Sequence, residues 1–183
     1  MKRIVAFGAS TSSNSINKKL ATYAAQQISD SNIKILDLND FEMPIYSEDF
    51  ERLSGIPKEA YYFKEIIKEA DGIIISFAEH NGAYTAAFKN IFDWISRIEK
   101  IVWYNKPMFL MATSEGLKGA SSVLQMAYNR MSIGNPNQIP YFSLPNFSDN
   151  FDQQTGIKNK DLSKKFINSL SIPSCFNKSG YKS

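Results

Sequence analysis

The sequence has very little cysteine and histidine, with one of each among its 183 residues. A lone cysteine, Cys175, cannot form a disulfide within the chain, which suits a protein of the reducing cytoplasm. One cysteine and one histidine are too few for a structural zinc site, so we expect no bound metal. The apolar run that follows Met1-Lys2-Arg3 is only about four residues long, too short for a signal peptide or a membrane span.

Strong charge and repeats are missing as well. The formal net charge is only +3, and the lysines are scattered along the chain. This pattern predicts neither a nucleic-acid nor a membrane partner, and it leaves a small molecule as the expected ligand. The length fits one domain, which we place at residues 1–172. Residues 173–183 are rich in serine and lysine, and we predict a flexible tail there.

Apolar runs alternate with helical patterns along the whole domain. Strands are predicted at 3–7, 33–38, 73–77, 107–112 and 139–144, and helices at 15–29, 57–71, 85–98, 118–131 and 160–170. Strands without polar alternation, each followed by a helix, form parallel sheets that are covered on both faces. We therefore predict an α/β fold, a flavodoxin-like three-layer sandwich with a five-stranded parallel sheet of order 2-1-3-4-5.

In open sheets of this kind, ligands bind beyond the carboxyl ends of the strands, where the winding reverses. The predicted crevice lies between the loops that follow the first, third and fourth strands. These loops are residues 8–17, 76–84 and 113–119, and we expect them to meet in space.

The loop after the first strand carries the clearest chemical signal. Gly8 ends the strand, and residues 10–17 are almost all hydroxyl or amide side chains in front of a predicted helix. The free N–H groups and the dipole of a helix N-terminus favour an anion such as phosphate. The loop is neither a dinucleotide nor a nucleoside-triphosphate glycine motif. Such clusters often only cap helices, but one capping residue would not require so many in succession.

Three motifs in register resemble the NADPH-dependent FMN reductase family. That family has a Gly-Ser…Ser-x-Asn loop, a Pro-Glu-Tyr-Asn…Leu-Lys-Asn-x-x-Asp-Trp segment and a Lys-Pro…Thr-Ser-x-Gly segment. This chain offers Gly8, Ser10 and Ser15-Ile16-Asn17; Glu79, Asn81, Phe88-Lys89-Asn90 and Asp93-Trp94; and Lys106-Pro107 with Thr113-Ser114-Glu115-Gly116.

The resemblance implies a binding site for FMN. Its phosphate would be held by the first loop, and its isoalloxazine ring would lie between the second and third loops, where backbone N–H groups match the polar edge of the ring. The implied cofactor-binding residues are Ser10, Thr11, Ser12, Ser13, Ser15, Ile16, Asn17, Ala78, Glu79, His80, Asn81, Gly82, Thr113, Ser114 and Gly116. No catalytic side chain is implied, because the flavin carries the chemistry.

The chain also departs from the family pattern. The arginine that is common in the phosphate loop is replaced by Thr11 or Ser12. A dianion would therefore depend on helix amides, hydroxyls and Lys18 or Lys19, and we expect weaker retention of FMN. The proline and tyrosine of the ring loop are Ala78 and His80 here.

Some of these residues also have simpler readings. His80 could be a solvated or capping loop residue instead of a flavin neighbour, and Glu79 could be merely exposed. Asp37 follows the second strand, where some dinucleotide folds place a ribose-binding acid. Without the glycine motif, a carboxylate at a turn or helix edge is the better reading of Asp37.

The expected activity is an FMN-dependent NAD(P)H oxidoreductase. Hydride would pass from NADPH or NADH through FMN to a quinone, an azo or nitro compound, or free flavin. One alternative is a flavodoxin-type electron carrier without NAD(P)H activity, and another is a flavin-free domain that binds a different phosphate. The resemblance also implies a homodimer or higher homo-oligomer. The chain has more aromatic residues than one small core needs, and we expect some of the following six to lie in a dimer interface: Tyr61, Tyr62, Phe63, Trp94, Trp103 and Tyr104.

Overall fold

The apolar runs of the sequence form the strands of one central sheet in a computed structural model, which describes residues 1–173 and 176. Within these residues the strands are β1 (Lys2–Ala9), β2 (Ser31–Leu36), β3 (Gly72–Phe77), β4 (Glu79–His80), β5 (Ala83–Tyr84), β6 (Met108–Thr113), β7 (Tyr141–Leu144), β8 (Phe151–Asp152) and β9 (Gly156–Ile157). The helices are α1 (Ile16–Gln26), α2 (Glu48–Ser54), α3 (Lys58–Glu69), α4 (Ala86–Ile98), α5 (Ser121–Met131), α6 (Phe147–Asn150) and α7 (Lys160–Leu170), with a 3₁₀ turn at Leu38–Phe41.

The central sheet is parallel and has the order β2-β1-β3-β6-β7. This is the predicted order 2-1-3-4-5, because these are the five strands that sequence periodicity identified. Every residue of β3 and β6 is buried, as expected of central strands covered on both faces. The order changes direction between β1 and β3, so the carboxyl ends of these two strands flank the crevice.

Two hydrophobic cores lie on opposite faces of the sheet. On one face, α3, α4 and α5 pack over alternate strand residues such as Phe7, Ile75 and Leu110. On the other face, α1 and α7 pack over the intervening residues, including Ile74 and Phe109. Because successive strand residues point to opposite faces, one apolar run supplies both cores.

The short elements differ most from the predictions. The sequence patterns missed α2, α6 and the two-stranded ribbons β4–β5 and β8–β9. Helix α5 starts at Ser121 and not at Lys118, because Gly119 and Ala120 both adopt the left-handed conformation, with φ of 54° and 58°. Two left-handed residues cannot continue into the first turn of a right-handed helix.

Three of the six aromatic residues that were candidates for an interface are buried within the chain itself. Phe63, Trp94 and Trp103 are buried in the core that α3, α4 and α5 cover. Tyr104 is half-buried, whereas Tyr61 and Tyr62 on α3 are about half exposed, at 48% and 52%. Of the six candidates, only Tyr61 and Tyr62 on α3 are therefore exposed.

Phe176 is buried in the core that α1 and α7 cover. The other residues of the predicted tail beyond Pro173, including Cys175, lie outside the described residues. Among the helices of the described part, none combines the length and the apolar character that crossing a bilayer requires.

Candidate functional site

A buried asparagine joins the three loops that were expected to meet. The side-chain Oδ1 of Asn17 accepts hydrogen bonds from Ser76 Oγ (2.7 Å) and Thr113 N (3.1 Å). Its Nδ2 donates to Thr113 O at 3.1 Å. Asn17, Ser76 and Thr113 are all nearly inaccessible to solvent. This network fixes the first turn of α1 against the ends of β3 and β6 and confirms the meeting of the loops.

The first loop presents its polar groups outward. Thr11, Ser12, Ser13 and Asn14 are exposed, and Ser15 caps α1 by accepting a hydrogen bond from Lys18 N at 3.2 Å. The first two helical N–H groups, those of Ile16 and Asn17, have no acceptor among the described residues. These N–H groups and the neighbouring hydroxyls form a donor set that matches a phosphate. Asn17 can contribute only its backbone N–H, because its side chain belongs to the buried network.

Gly8 allows the helix to start this close to the strand. A Cβ atom at position 8 would lie 2.7 Å from Lys18 Cα and 2.8 Å from Asn17 C. Real Cβ atoms do not approach backbone atoms so closely, so any side chain here would push α1 away from β1. The glycine of the phosphate loop therefore serves close packing.

The end of β2 supports the same loop. Lys18 Nζ lies 2.5 Å from Asp37 Oδ2, and Asn39 Nδ2 donates to Thr11 O at 3.1 Å. The hydrogen bond from Lys18 and that from the Asn39 backbone hold the pKa of the Asp37 carboxyl below its usual value. Asp37 also caps the 3₁₀ turn, which confirms its reading as a turn carboxylate. The charge of Lys18 is therefore already balanced by a carboxylate.

The second loop is a β-hairpin, which the sequence analysis missed. Strands β4 and β5 pair antiparallel, and Asn81 and Gly82 form the two-residue turn with φ of 53° and 77°. Asn-Gly is the preferred pair for such a turn, so this dipeptide was the available signal. The N–H groups of Asn81 and Gly82 donate to no acceptor in the described part of the chain. His80 is exposed beside them.

Glu79 is not merely exposed, because its side chain caps α5 from the neighbouring hairpin. Its Oε2 accepts a hydrogen bond from Val123 N, in the first turn of α5, at 2.9 Å. Helix α5 needs this external acceptor because its own cap position, Ala120, has no polar side chain. The hairpin of the second loop is thereby tied to the helix that follows the third loop.

Replacing Glu79 with alanine is expected to lower the free energy of unfolding by about 1 kcal/mol, the usual cost of a lost helix cap. Glutamine retains an acceptor oxygen and should lose less than half of that amount. Urea denaturation monitored by circular dichroism would measure both variants. Glu65→Ala, at an exposed position of α3, is the control and should change little. Equal stability of Glu79→Ala and Glu65→Ala would contradict the capping role.

Hydrogen bonds attach the start of the third loop to the end of β7 and to the segment after it. Thr113 Oγ1 donates to Leu144 O at 2.7 Å, and Ser114 O accepts from Phe147 N at 3.1 Å. Glu115, which was not among the predicted site residues, caps α6 through Ser148 N at 3.0 Å. Ser114 is half-buried and Gly116 exposed, so this loop offers backbone groups at the crevice.

The motif residues of α4 have a structural role. Asn90 accepts a hydrogen bond from Tyr46 N (2.8 Å) and donates to Met43 O (3.1 Å) and Pro44 O (3.0 Å). Trp94 Nε1 also donates to Pro44 O, at 2.7 Å. Thr85, at the start of α4, donates to Ala9 O at 2.9 Å. Together these contacts fix the segment after β2 and the start of α4 around the crevice.

The site is thus a set of donors without acid–base machinery. Helix amides and hydroxyls are available as donors at the N-terminus of α1, and the N–H groups of the Asn81–Gly82 turn are available as donors after β4. No group of three or more metal-ligating side chains occurs within residues 1–173 and 176. Such a donor set suits an elongated anionic ligand with a polar ring edge, which is the chemistry of FMN.

Comparison with known proteins adds independent findings. Residues 2–149 match the family model described as NADPH-dependent FMN reductase. The chain is similar to the 2-hydroxy-1,4-benzoquinone reductase of Burkholderia sp, with 36% identity over 110 residues that cover 59% of this chain and 58% of the relative. It is also similar to the quinone reductase of Escherichia coli strain K12, with 30% identity over 80 residues, or 44% of this chain and 43% of the relative. The chain therefore spans only about half the length of these relatives.

The fold has close counterparts among solved structures. One is the flavoenzyme NAD(P)H:(acceptor) oxidoreductase FerB of Paracoccus denitrificans, with a TM-score of 0.71 and 20% identity. The superposition covers 92% of each chain. At this level of identity the similarity supports the predicted flavodoxin-like fold and nothing finer.

Proposed function

The chain belongs to the NADPH-dependent FMN reductase family, and from this premise we propose that it is an FMN-dependent NAD(P)H oxidoreductase acting on a small acceptor. The observation that carries the proposal is the Asn17 network, which brings the N-terminus of α1 to the ends of β3 and β6. This network supports a crevice at which the loop after β1 would supply phosphate donors and the hairpin would supply ring-edge donors. The similarity to a 2-hydroxy-1,4-benzoquinone reductase and to a quinone reductase supports a quinone as the acceptor.

The residues of the chain would bind and orient the cofactor. The N–H groups of Ile16 and Asn17, with the hydroxyls of Ser10, Ser12 and Ser13, would hold the phosphate. The N–H groups of the Asn81–Gly82 turn would donate to the polar edge of the ring, where negative charge develops on reduction. When bound, FMN supplies a centre that takes up a hydride from the nicotinamide and gives it to the acceptor.

The Asn17 network at the ends of β3 and β6 consists of neutral, hydrogen-bonded groups. Ser76, Thr113 and the Asn17 amide hydrogen-bond to one another, so this network would bring no charged side chain to a flavin bound beside it. Because Asn17, Ser76 and Thr113 are nearly inaccessible to solvent, hydrogen bonds next to them would be stronger than in water.

The proposed function includes a cytoplasmic location and a homodimer. The single cysteine supports a cytoplasmic location, where thiols stay reduced. A homodimer would use the exposed Tyr61 and Tyr62, because tyrosine is enriched at interfaces. Sedimentation of the native protein and of a Tyr61→Glu, Tyr62→Glu double variant would test the dimer.

The proposal predicts that the purified protein binds FMN and oxidises NADPH or NADH when a benzoquinone is supplied. Ser12→Asp adds a negative charge to an exposed loop position, and we expect FMN to bind about tenfold more weakly. Ser29→Asp places the same charge at an exposed position after α1 and is the control. Flavin fluorescence titration and the loss of NAD(P)H absorbance are the measurements. FMN binding without NAD(P)H oxidation would identify an electron carrier, and no FMN binding would refute the proposal.

A further inference from the structure

An open groove lies on the outer side of the phosphate loop, between α1 and the β8–β9 ribbon. It encloses about 320 Å³, which is within the size range of small-molecule sites. Ser13 and Ser15 of the phosphate loop form one end of it. The rest of its lining includes Lys19, Thr22, Gln26 and Gln153. The groove is therefore continuous with the loop that would hold the flavin phosphate.

The charge of the groove is positive. Lys19 Nζ contacts only the neutral Asn14 Oδ1, at 2.6 Å, and it forms no ion pair with a carboxylate of the described chain. The nearest acid on the ribbon, Asp152, accepts hydrogen bonds from Gln154 N and Thr155 N, both at 2.9 Å. Asp152 is thereby turned into its own loop and does not balance Lys19. The groove favours an anionic group near Lys19.

The remaining lining is neutral and rich in hydrogen-bonding groups. In the described structure, the side chains of Thr22, Gln26 and Gln153 make no hydrogen bond with another residue. Tyr23 and the buried Phe151 provide an apolar wall, with their rings 5.4 Å apart edge to face. Amides and hydroxyls beside aromatic carbon suit the sugar and base of a nucleotide better than a bare inorganic anion.

We propose that this groove, lined by Ser13, Lys19, Thr22, Gln26, Phe151 and Gln153, binds the adenosine phosphate portion of a dinucleotide. The inference rests on the proposed function, because the ligand would enter from the phosphate loop. Two ligands carry this chemistry: the adenylate half of FAD and the adenosine bisphosphate end of NADPH. Lys19 would pair with the phosphate of either ligand, while Thr22 and Gln26 would contact the sugar or base.

Two titrations distinguish FAD from NADPH as the source of the adenosine phosphate group. Flavin-free protein is titrated with FMN and with FAD, and the ratio of the two dissociation constants is recorded. FMN-loaded protein is titrated by calorimetry with adenosine 2′,5′-bisphosphate. Both titrations are repeated with Lys19→Glu, which reverses the charge, and Thr22→Trp, which fills the groove. Lys68→Glu, at an exposed position of α3 on the opposite face of the sheet, is the matched control.

A preference for FAD over FMN of about tenfold or more supports the flavin source, and binding of the bisphosphate to FMN-loaded protein supports the nicotinamide source. Lys19→Glu and Thr22→Trp should abolish whichever of these is observed, the preference for FAD or the binding of the bisphosphate. Lys68→Glu should retain it. Equal binding of FMN and FAD together with no binding of the bisphosphate overturns the inference, as does binding that both groove variants retain. FMN binding and quinone reduction would still stand in that case, so this failure is distinct from failure of the proposed function.

Discussion

Replacing Asn17 with alanine is expected to lower the free energy of unfolding of the flavin-free protein by about 3 to 4 kcal/mol. The substitution removes three hydrogen bonds at once. It also leaves Ser76 Oγ and both backbone polar groups of Thr113 without these partners in a site that solvent hardly reaches. Each unpaired buried group costs about 1 to 3 kcal/mol.

Urea denaturation without flavin is the decisive measurement for this variant. If Asn17 acted only by contacting the phosphate, its loss would weaken FMN binding and leave the flavin-free protein as stable as before. Asn14→Ala is the matched control, because Asn14 is exposed and contacts only Lys19 Nζ. We expect that control to change stability by less than about 0.5 kcal/mol.

Aspartate at position 17 separates hydrogen-bond geometry from charge. The introduced carboxylate can accept from Ser76 and Thr113 N, but it would face Thr113 O without a proton to donate. We therefore expect the folded protein to raise the pKa of this carboxyl above its unfolded value near 3.9. Stability would then fall as the pH rises from about 4 through the folded pKa. A profile parallel to that of the native protein would argue against a buried, fully used amide at this position.

Sequence reasoning identified the sheet and the position of the crevice because both follow from long local patterns. The runs at Ile73–Ile75 and Met108–Ala112 are entirely apolar, which is typical of central parallel strands. Their order followed from the alternation of strands and helices. The spacing of the polar loops then placed the three site segments at the carboxyl edge.

The contacts that build the site were beyond sequence reasoning because their partners are distant in the chain. Asn17 is 96 residues from Thr113, and Glu79 is 44 residues from Val123. Nothing local distinguishes an asparagine that holds strands together from one that holds a phosphate. The cap on α5 was hidden for the same reason, because Ala120 itself carries no capping signal.

Short elements were missed for a different reason. The hairpin at 79–84 has two residues in each strand, too few for an alternation pattern to appear. Its turn residues, Asn81 and Gly82, were the only local indication. Helix α2 has only seven residues and none of them is buried, so its apolar residues are too few for a helical pattern to be recognised, although Ser47 caps it.

Lys64 is expected to make the protein more stable as the pH rises from about 8 to about 10. Its side chain is only 3% exposed. Its Nζ donates to Val102 O at 2.8 Å, lies 3.8 Å from the centre of the Tyr104 ring and is 3.9 Å from Glu99 Oε2. Burial lowers the pKa of Lys64 to about 8, although the charge of Glu99 opposes this effect and that of Lys68 adds to it.

The sign follows from proton linkage. Between about pH 8 and the unfolded pKa near 10.4, the unfolded chain holds a proton that the folded chain has released, so stability increases with pH. The full shift corresponds to about 3 kcal/mol. Above pH 10 the gain is reversed, because burial raises the pKa of both Tyr84 and Tyr104 to about 12. For these tyrosines the unfolded state loses its protons first, and stability falls as the pH rises from 10 toward 12.

Lys64→Met removes the titrating group and keeps the volume. At pH 7 the variant should be about as stable as the native protein. Removing the buried ammonium is favourable, and this gain offsets the loss of its hydrogen bond to Val102 O. By pH 10 it should be less stable by about 2 to 3 kcal/mol, because only the native protein gains. Urea denaturation at pH 7, 8, 9 and 10 measures the difference. Lys58→Met, at a side chain that is 92% exposed, should follow the native profile. If Lys64→Met also followed the native pH profile, the ammonium of Lys64 would not be held in a buried site. Helix α3 would then be attached to the segment around Val102 by packing alone.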